Sequence, residues 1–171
     1  TLKVIAGLMK PSRGTVRYRG RELNGLDIPQ RQQLGIGYLM QGGRVFPNLT
    51  VEENLQLSAV QIQKAKKSAS LGDWFPVLRD RRADRAGLLS GGQRQMLAIE
   101  LVLAQKPDLL LLDEPTAALS AELATEILSA IRRCTISTGV AALLVEQTAP
   151  TAISYSDRTL HLAFGIQTLA A

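Results

Sequence analysis

The stretch "DLLLLDEPTAALS", Asp108 to Ser120, decides the fold. Leu109 to Leu112 are four aliphatic residues with no polar face, so they read as a strand buried on both sides, the kind found in parallel sheets. Asp113 and Glu114 follow without a spacer and Pro115 ends the run. Open α/β folds bind ligands beyond the carboxyl ends of their parallel strands, which is where these two acids would stand. By themselves they fit either an acidic turn after a core strand or a functional pair. In the second case Asp113 would hold Mg²⁺, through water, and Glu114 would orient and deprotonate an attacking water.

Working outward, helical and strand patterns alternate. After Pro115 comes a helix over Ala121 to Arg133, with Leu123, Ile127 and Ile131 facing inward, and then a buried strand over Ala141 to Val145. Upstream, "GIGYLM" reads as a short strand, and Thr50 with Glu53 makes a capping box that opens a helix running to about Val60. "TLKVIAGLMK" has helical spacing at Leu2, Ile5, Ala6 and Met9, and "TVRYRG" alternates as a strand ending at Gly20. The segment Gln61 to Ser70 is polar and lysine-rich, and Thr159 to Leu169 reads as a hairpin around Gly165. This order argues an α/β fold whose mostly parallel sheet is covered by helices.

A second stretch, "LLSGGQRQMLAIE" from Leu88 to Glu100, opens a helix that Pro107 stops. Ser90 is its N-cap and Gln93 completes a capping box. Gly91 and Gly92 are poor residues for a first helical turn, each about 1 kcal/mol worse than alanine. Glycines there admit close approach by another body, and the free N–H groups of a helix start bind anions, which makes a phosphate the candidate ligand.

Composition bounds the alternatives. The chain has 171 residues, 46% of them hydrophobic, enough for one domain with a sizeable core. Its apolar runs are strand-sized, short of the ~18 residues of a membrane span. The single cysteine, Cys134, has no internal disulfide partner and fits a packing role. A net charge of +5 is concentrated in Arg17, Arg19 and Arg21 and in Arg79, Arg81, Arg82 and Arg85. With only 4% aromatic residues between them these are solvated faces rather than a base-stacking surface, and no nucleic-acid partner is expected.

"LSGGQRQ" (Leu89 to Gln95), about a dozen residues before "LLLLDEPT" (Leu109 to Thr116), resembles the signature motif and Walker B motif of ABC-type ATPases. "YLMQGGRVFPNLTVEENL" is similar to that family's Q-loop and places its glutamine at Gln41. The resemblance covers essentially the whole chain. It implies a P-loop NTPase-like ABC ATPase domain over 1–171, with a helical signature subdomain at about 48–105. The implied cofactors are ATP and Mg²⁺. Gln41 and Asp113 would serve the metal, Gln41 also the γ-phosphate, and Glu114 and Gln147 hydrolysis. Ser90, Gly91, Gly92 and Gln93 would close over the γ-phosphate of a second ATPase subunit, identical or different, packed head to tail. The other implied partners are transmembrane permease subunits, which Gln41 senses, and indirectly a substrate-binding protein, at the cytoplasmic face of a membrane.

"GGRVFPNLTVEENL", "WFPVLRDRRADRAGLLSGGQ" and "LLVEQ" are most similar to the shorter ATPase subunit of branched-chain amino-acid importers. Urea and amide importer ATPases share much of this wording. A soluble ABC protein of DNA repair or translation would carry long insertions or two fused halves, and the span from Gln41 to Ser90 has no room for them. A non-hydrolysing regulatory partner would suit Gln147 and Ser120 but not Glu114. Several positions depart from the general pattern. The motif GxxxxGK[ST] is absent; Gly20 and Gly25 have its separation, but Leu26 follows where lysine is required. Thr1 aligns just past the end of that motif, so the chain is expected to be truncated upstream and, by itself, inactive. Gln147 replaces the usual switch histidine; it can donate to a phosphate but cannot change charge with pH. The only histidine, His161, falls in the final hairpin, Leu101 stands where arginine is common, and Ser120, where aspartate is usual, suits an N-cap.

Overall fold

The computed structural model describes residues 1–60, 74–146, 149–163 and 166–168. Its centre is the predicted apolar strand, β4 (Leu109–Asp113), lying between β3 (Ile36–Leu39) and β5 (Ala141–Val145) in a parallel sheet of order β3-β4-β5. Leu110, Leu111 and Leu112 are completely buried. Their alternation divides the core, because successive side chains leave opposite faces of a strand. Leu110 and Leu112 pack with Leu39 beneath α4 (Gly91–Leu103) and α5 (Ala121–Thr138). Leu111 faces the other way, with Ile36 and with Leu2 and Ala6 of α1 (Leu2–Ala6). Both faces of β4 are thus covered, as its composition predicts.

The remaining elements are β1 (Arg17–Tyr18), β2 (Arg21–Glu22), α2 (Ile28–Gln33), α3 (Val51–Val60), α6 (Ala149–Ile153), β6 (His161–Ala163) and β7 (Ile166–Thr168). The capping boxes read from sequence are present at α3, where Thr50 and Glu53 exchange bonds, and at α4, where Ser90 and Gln93 do. β6 and β7 pair as the expected hairpin. The lysine-rich segment Gln61 to Ser70 lies outside the described residues.

Four features differ from expectation. α1 ends at Ala6 because Gly7 takes a left-handed conformation, leaving Leu8 and Met9 exposed. "TVRYRG" gives only β1, which turns at Arg19 and Gly20 to pair with β2, so Gly20 belongs to a hairpin turn. α5 continues past Arg133 to a left-handed cap at Gly139. Its last turn holds β-branched and hydroxyl residues, but Thr135, Ser137 and Thr138 return their hydroxyls to backbone carbonyls three or four residues earlier, and Cys134 is buried. β5, expected to be buried, is only partly so, since β4 is its one neighbour in the sheet among the described residues.

Arg31 of α2 fastens the α1 side. It is almost fully buried, and its guanidinium donates to the carbonyls of Val4, Ile5, Leu23 and Leu26 at 2.6–3.0 Å. Val4 and Ile5 lie in the last turn of α1, whose carbonyls carry the negative end of the helix dipole; Val4 O also accepts from Gly7 N.

Candidate nucleotide and metal site

The candidate site forms where β3, β4 and β5 end. β4 carries Asp113 as its last residue, and the chain then turns sharply: Glu114 has φ 49°, a left-handed conformation that non-glycine residues adopt at a cost of order 1 kcal/mol or more. The Glu114 N–H donates to Val145 O at 2.9 Å, so the turn is seated on the end of β5. Gln41, two residues beyond β3, donates its amide to Glu114 Oε2 at 2.6 Å. Asp113 and Gln41, both expected at a metal, and Glu114, expected as the base, are therefore brought together.

Three contacts not anticipated from sequence hold this turn. The Tyr38 hydroxyl donates to Asp113 Oδ2 at 2.9 Å; burial and this bond push the phenol up to about 12. Gln95, one turn into α4 and nearly buried, donates to Pro115 O at 2.9 Å. Glu146, directly after β5, accepts from both the N–H and the hydroxyl of Thr116, at 2.9 and 2.7 Å. The acid turn is thus gripped from β3, α4 and β5 at once. Only Glu146 left a sequence signal, an acid closing an apolar strand.

The signature residues stand apart from this cluster. Ser90 is exposed and bonded to Gln93: the Ser90 hydroxyl accepts from Gln93 N, and Gln93 Oε1 accepts from Ser90 N. The two glycines have different surroundings. Gly91 is exposed, and a Cβ built there would meet nothing within 4 Å. Gly92 is buried, and a Cβ there would overlap Leu123 of α5. The open space at Gly91 and the exposed Ser90 hydroxyl suit an anion arriving from outside the chain. Ser120 is the N-cap of α5, with its hydroxyl accepting from Leu123 N. Gln147 lies outside the described residues.

The acid cluster offers hard oxygen donors: two adjacent carboxylates and an amide. No group of three His, Cys, Asp or Glu side chains is arranged to hold a metal among the described residues. A cation here would complete its shell with water and phosphate oxygens, which is how Mg²⁺ binds in nucleotide sites.

Comparison with known proteins agrees with this architecture. The sequence pattern of the ABC transporter family matches residues 1–117. The probable branched-chain amino acid transport ATP-binding protein LivF of Archaeoglobus fulgidus is 41% identical, over 96% of this chain and 71% of that protein. The high-affinity branched-chain amino acid transport ATP-binding protein BraG of Pseudomonas aeruginosa is 38% identical over the same shares. A bacterial ABC transporter cassette solved as a dimer superposes with a TM-score of 0.71 at 26% identity, over 89% of this chain and 70% of that one. Matched by the family pattern over more than half its length and 41% identical to a transport ATP-binding protein, this chain belongs to the ABC transporter family as an ATP-binding subunit.

Proposed function

We propose that the protein hydrolyses MgATP to drive a branched-chain amino-acid importer, as one of two ATPase subunits packed head to tail. The observation that carries the hydrolytic reading is the meeting of Gln41, Asp113 and Glu114 at one sheet edge, with Gln41 bonded to Glu114 at 2.6 Å. Glu114 would take the proton of the attacking water, and its left-handed backbone fixes where its carboxylate stands. Asp113 and Gln41 would hold Mg²⁺, which when bound neutralises charge on the phosphate oxygens. Gln147 would donate to the γ-phosphate. Ser90, Gly91, Gly92 and Gln93 would meet the γ-phosphate bound to the other subunit, with the segment 48–105 acting as the helical arm that carries them. The amino-acid class follows from the likeness to LivF and BraG.

The same reading places membrane subunits on a groove of about 230 Å³ beside the Q-loop, lined by Met40, Phe46, Leu57 and Leu101 among others. Phe46 and Leu57 are exposed there, and no helix among the described residues is long and apolar enough to cross a membrane. Attachment to the cytoplasmic face would then be peripheral, through that groove.

The test uses the full-length protein. Glu114→Gln should still bind ATP, lose at least ~100-fold in turnover, the low end for a general base, and accumulate an ATP-dependent dimer on gel filtration. Near-normal turnover would reassign the base. Leucine uptake that persists when the gene is deleted would refute the proposed cargo.

A further inference from the structure

We propose that Tyr38 is a positioning residue for Asp113, its hydroxyl fixing the carboxylate so that one oxygen alone is presented to the metal. The inference rests on the reading of Asp113 as a metal-holding residue, and its basis is sheet register. Tyr38 pairs with Leu111 across the parallel β3–β4 ladder. Paired residues share a face, and Asp113 lies two residues beyond Leu111, on that same face. Asp113 is thus the diagonal neighbour of Tyr38, within reach of an aromatic side chain. The hydroxyl makes the contact at 2.9 Å to Oδ2.

The rest of the ring is accounted for by packing. Tyr38 lies against the cluster of Leu111, Ile36 and Leu23, which a phenylalanine would fill equally well. The hydroxyl is the one atom whose purpose packing does not explain. A phenol is also an apt donor here: it holds one carboxylate oxygen without bringing a positive charge, so the full negative charge of Asp113 remains for a cation. A lysine or arginine at this place would compete with the metal. Carboxylate torsions are broad, and a single fixed bond selects one orientation among them. Mg²⁺ demands near-ideal geometry and uses few carboxylates, so an orientation set in advance matters more for it than for larger ions.

The experiment measures nucleotide affinity of the full-length protein in Mg²⁺ and in EDTA, alongside the melting temperature in EDTA. Tyr38→Phe should bind ATP as the wild type does in EDTA and about tenfold more weakly in Mg²⁺, the order of one hydrogen bond to a charged group. Melting in EDTA should not change. Equal weakening in both conditions, or none in either, would overturn the proposal. Asp113→Asn and the double variant separate the causes. Should Tyr38→Phe also lower the melting point, the cycle still decides, because a loss transmitted through Asp113 disappears in the Asp113→Asn background while a packing loss adds to it. If Asp113→Asn itself left the Mg²⁺ dependence intact, the metal reading of Asp113 would fail. If it abolished that dependence while Tyr38→Phe did nothing, only the role of Tyr38 would.

Discussion

At the scale of single residues, the two glycines that open α4 have different surroundings. Both cost the helix start stability, yet only Gly92 has a reason inside its own chain: Leu123 occupies the place of its Cβ. Gly91 borders open space. Gly92→Ala should therefore push the end of the Leu123 side chain aside and leave the fold about 0.5–1.5 kcal/mol less stable than Gly91→Ala does, the cost of an off-rotamer side chain, measured by urea denaturation. Leu123→Ala should recover much of that loss when combined with it, because the two residues share the collision. Gly91→Ala should melt at or slightly above the wild-type temperature, alanine being the better helix former by up to about 1 kcal/mol. Its defect should appear instead in the ATP-dependent dimer of the Glu114→Gln protein. The opposite pattern, a folding defect at Gly91 and none at Gly92, would mean that α4 does not pack on α5 in this way.

At the scale of elements, local signals were legible and neighbour-dependent ones were not. The capping boxes at α3 and α4 follow from residues three apart, so sequence spacing contains the whole geometry. α2 carries a comparable box, Asp27 with Gln30, but its sequence IPQRQQ has no apolar period to draw attention to it. Burial of β5 could not be read from its composition, because it depends on which strands lie alongside. The chain's departure at Ser120 is an element-level matter as well: an aspartate there would cap α5 equally well, and the serine does so through Leu123 N. Ser120→Ala should thus cost about 1 kcal/mol of stability, whereas Ser120→Asp should keep it. A denaturation series in which alanine and aspartate behave alike would remove Ser120 from the cap.

At the scale of the whole molecule, the acids themselves were legible because they follow the strand without a break, and Gln41 through its loop motif, but Tyr38 and Gln95, which also hold the acid turn, were not. Tyr38 reaches Asp113 only because β3 and β4 are parallel and in a particular register, and Gln95 reaches Pro115 only because α4 crosses the sheet end. The same arrangement builds an outward face. The loop after Gln41 is anchored by Asn54, which is wholly buried and both accepts from Phe46 N and donates to Phe46 O, at 2.7 and 3.0 Å. Phe46 nevertheless stays 54% exposed, next to exposed Leu57. A large apolar ring fixed in place by a buried amide yet open to solvent is a typical anchor for a protein partner. The acid site and the anchor are joined by few residues, with Gln41 bonded to Glu114 and Phe46 five positions later. Phe46→Glu in the full-length protein should then leave folding, ATP binding and the ATP-dependent dimer of isolated subunits as they are, because the side chain is exposed and makes none of the hydrogen bonds that hold the acid turn. If the proposed function holds, it should abolish co-purification with membrane subunits and, with it, leucine uptake. A variant that still assembled and transported would move the membrane contact away from this groove, while one that lost its dimer would show that the Q-loop side takes part in subunit pairing.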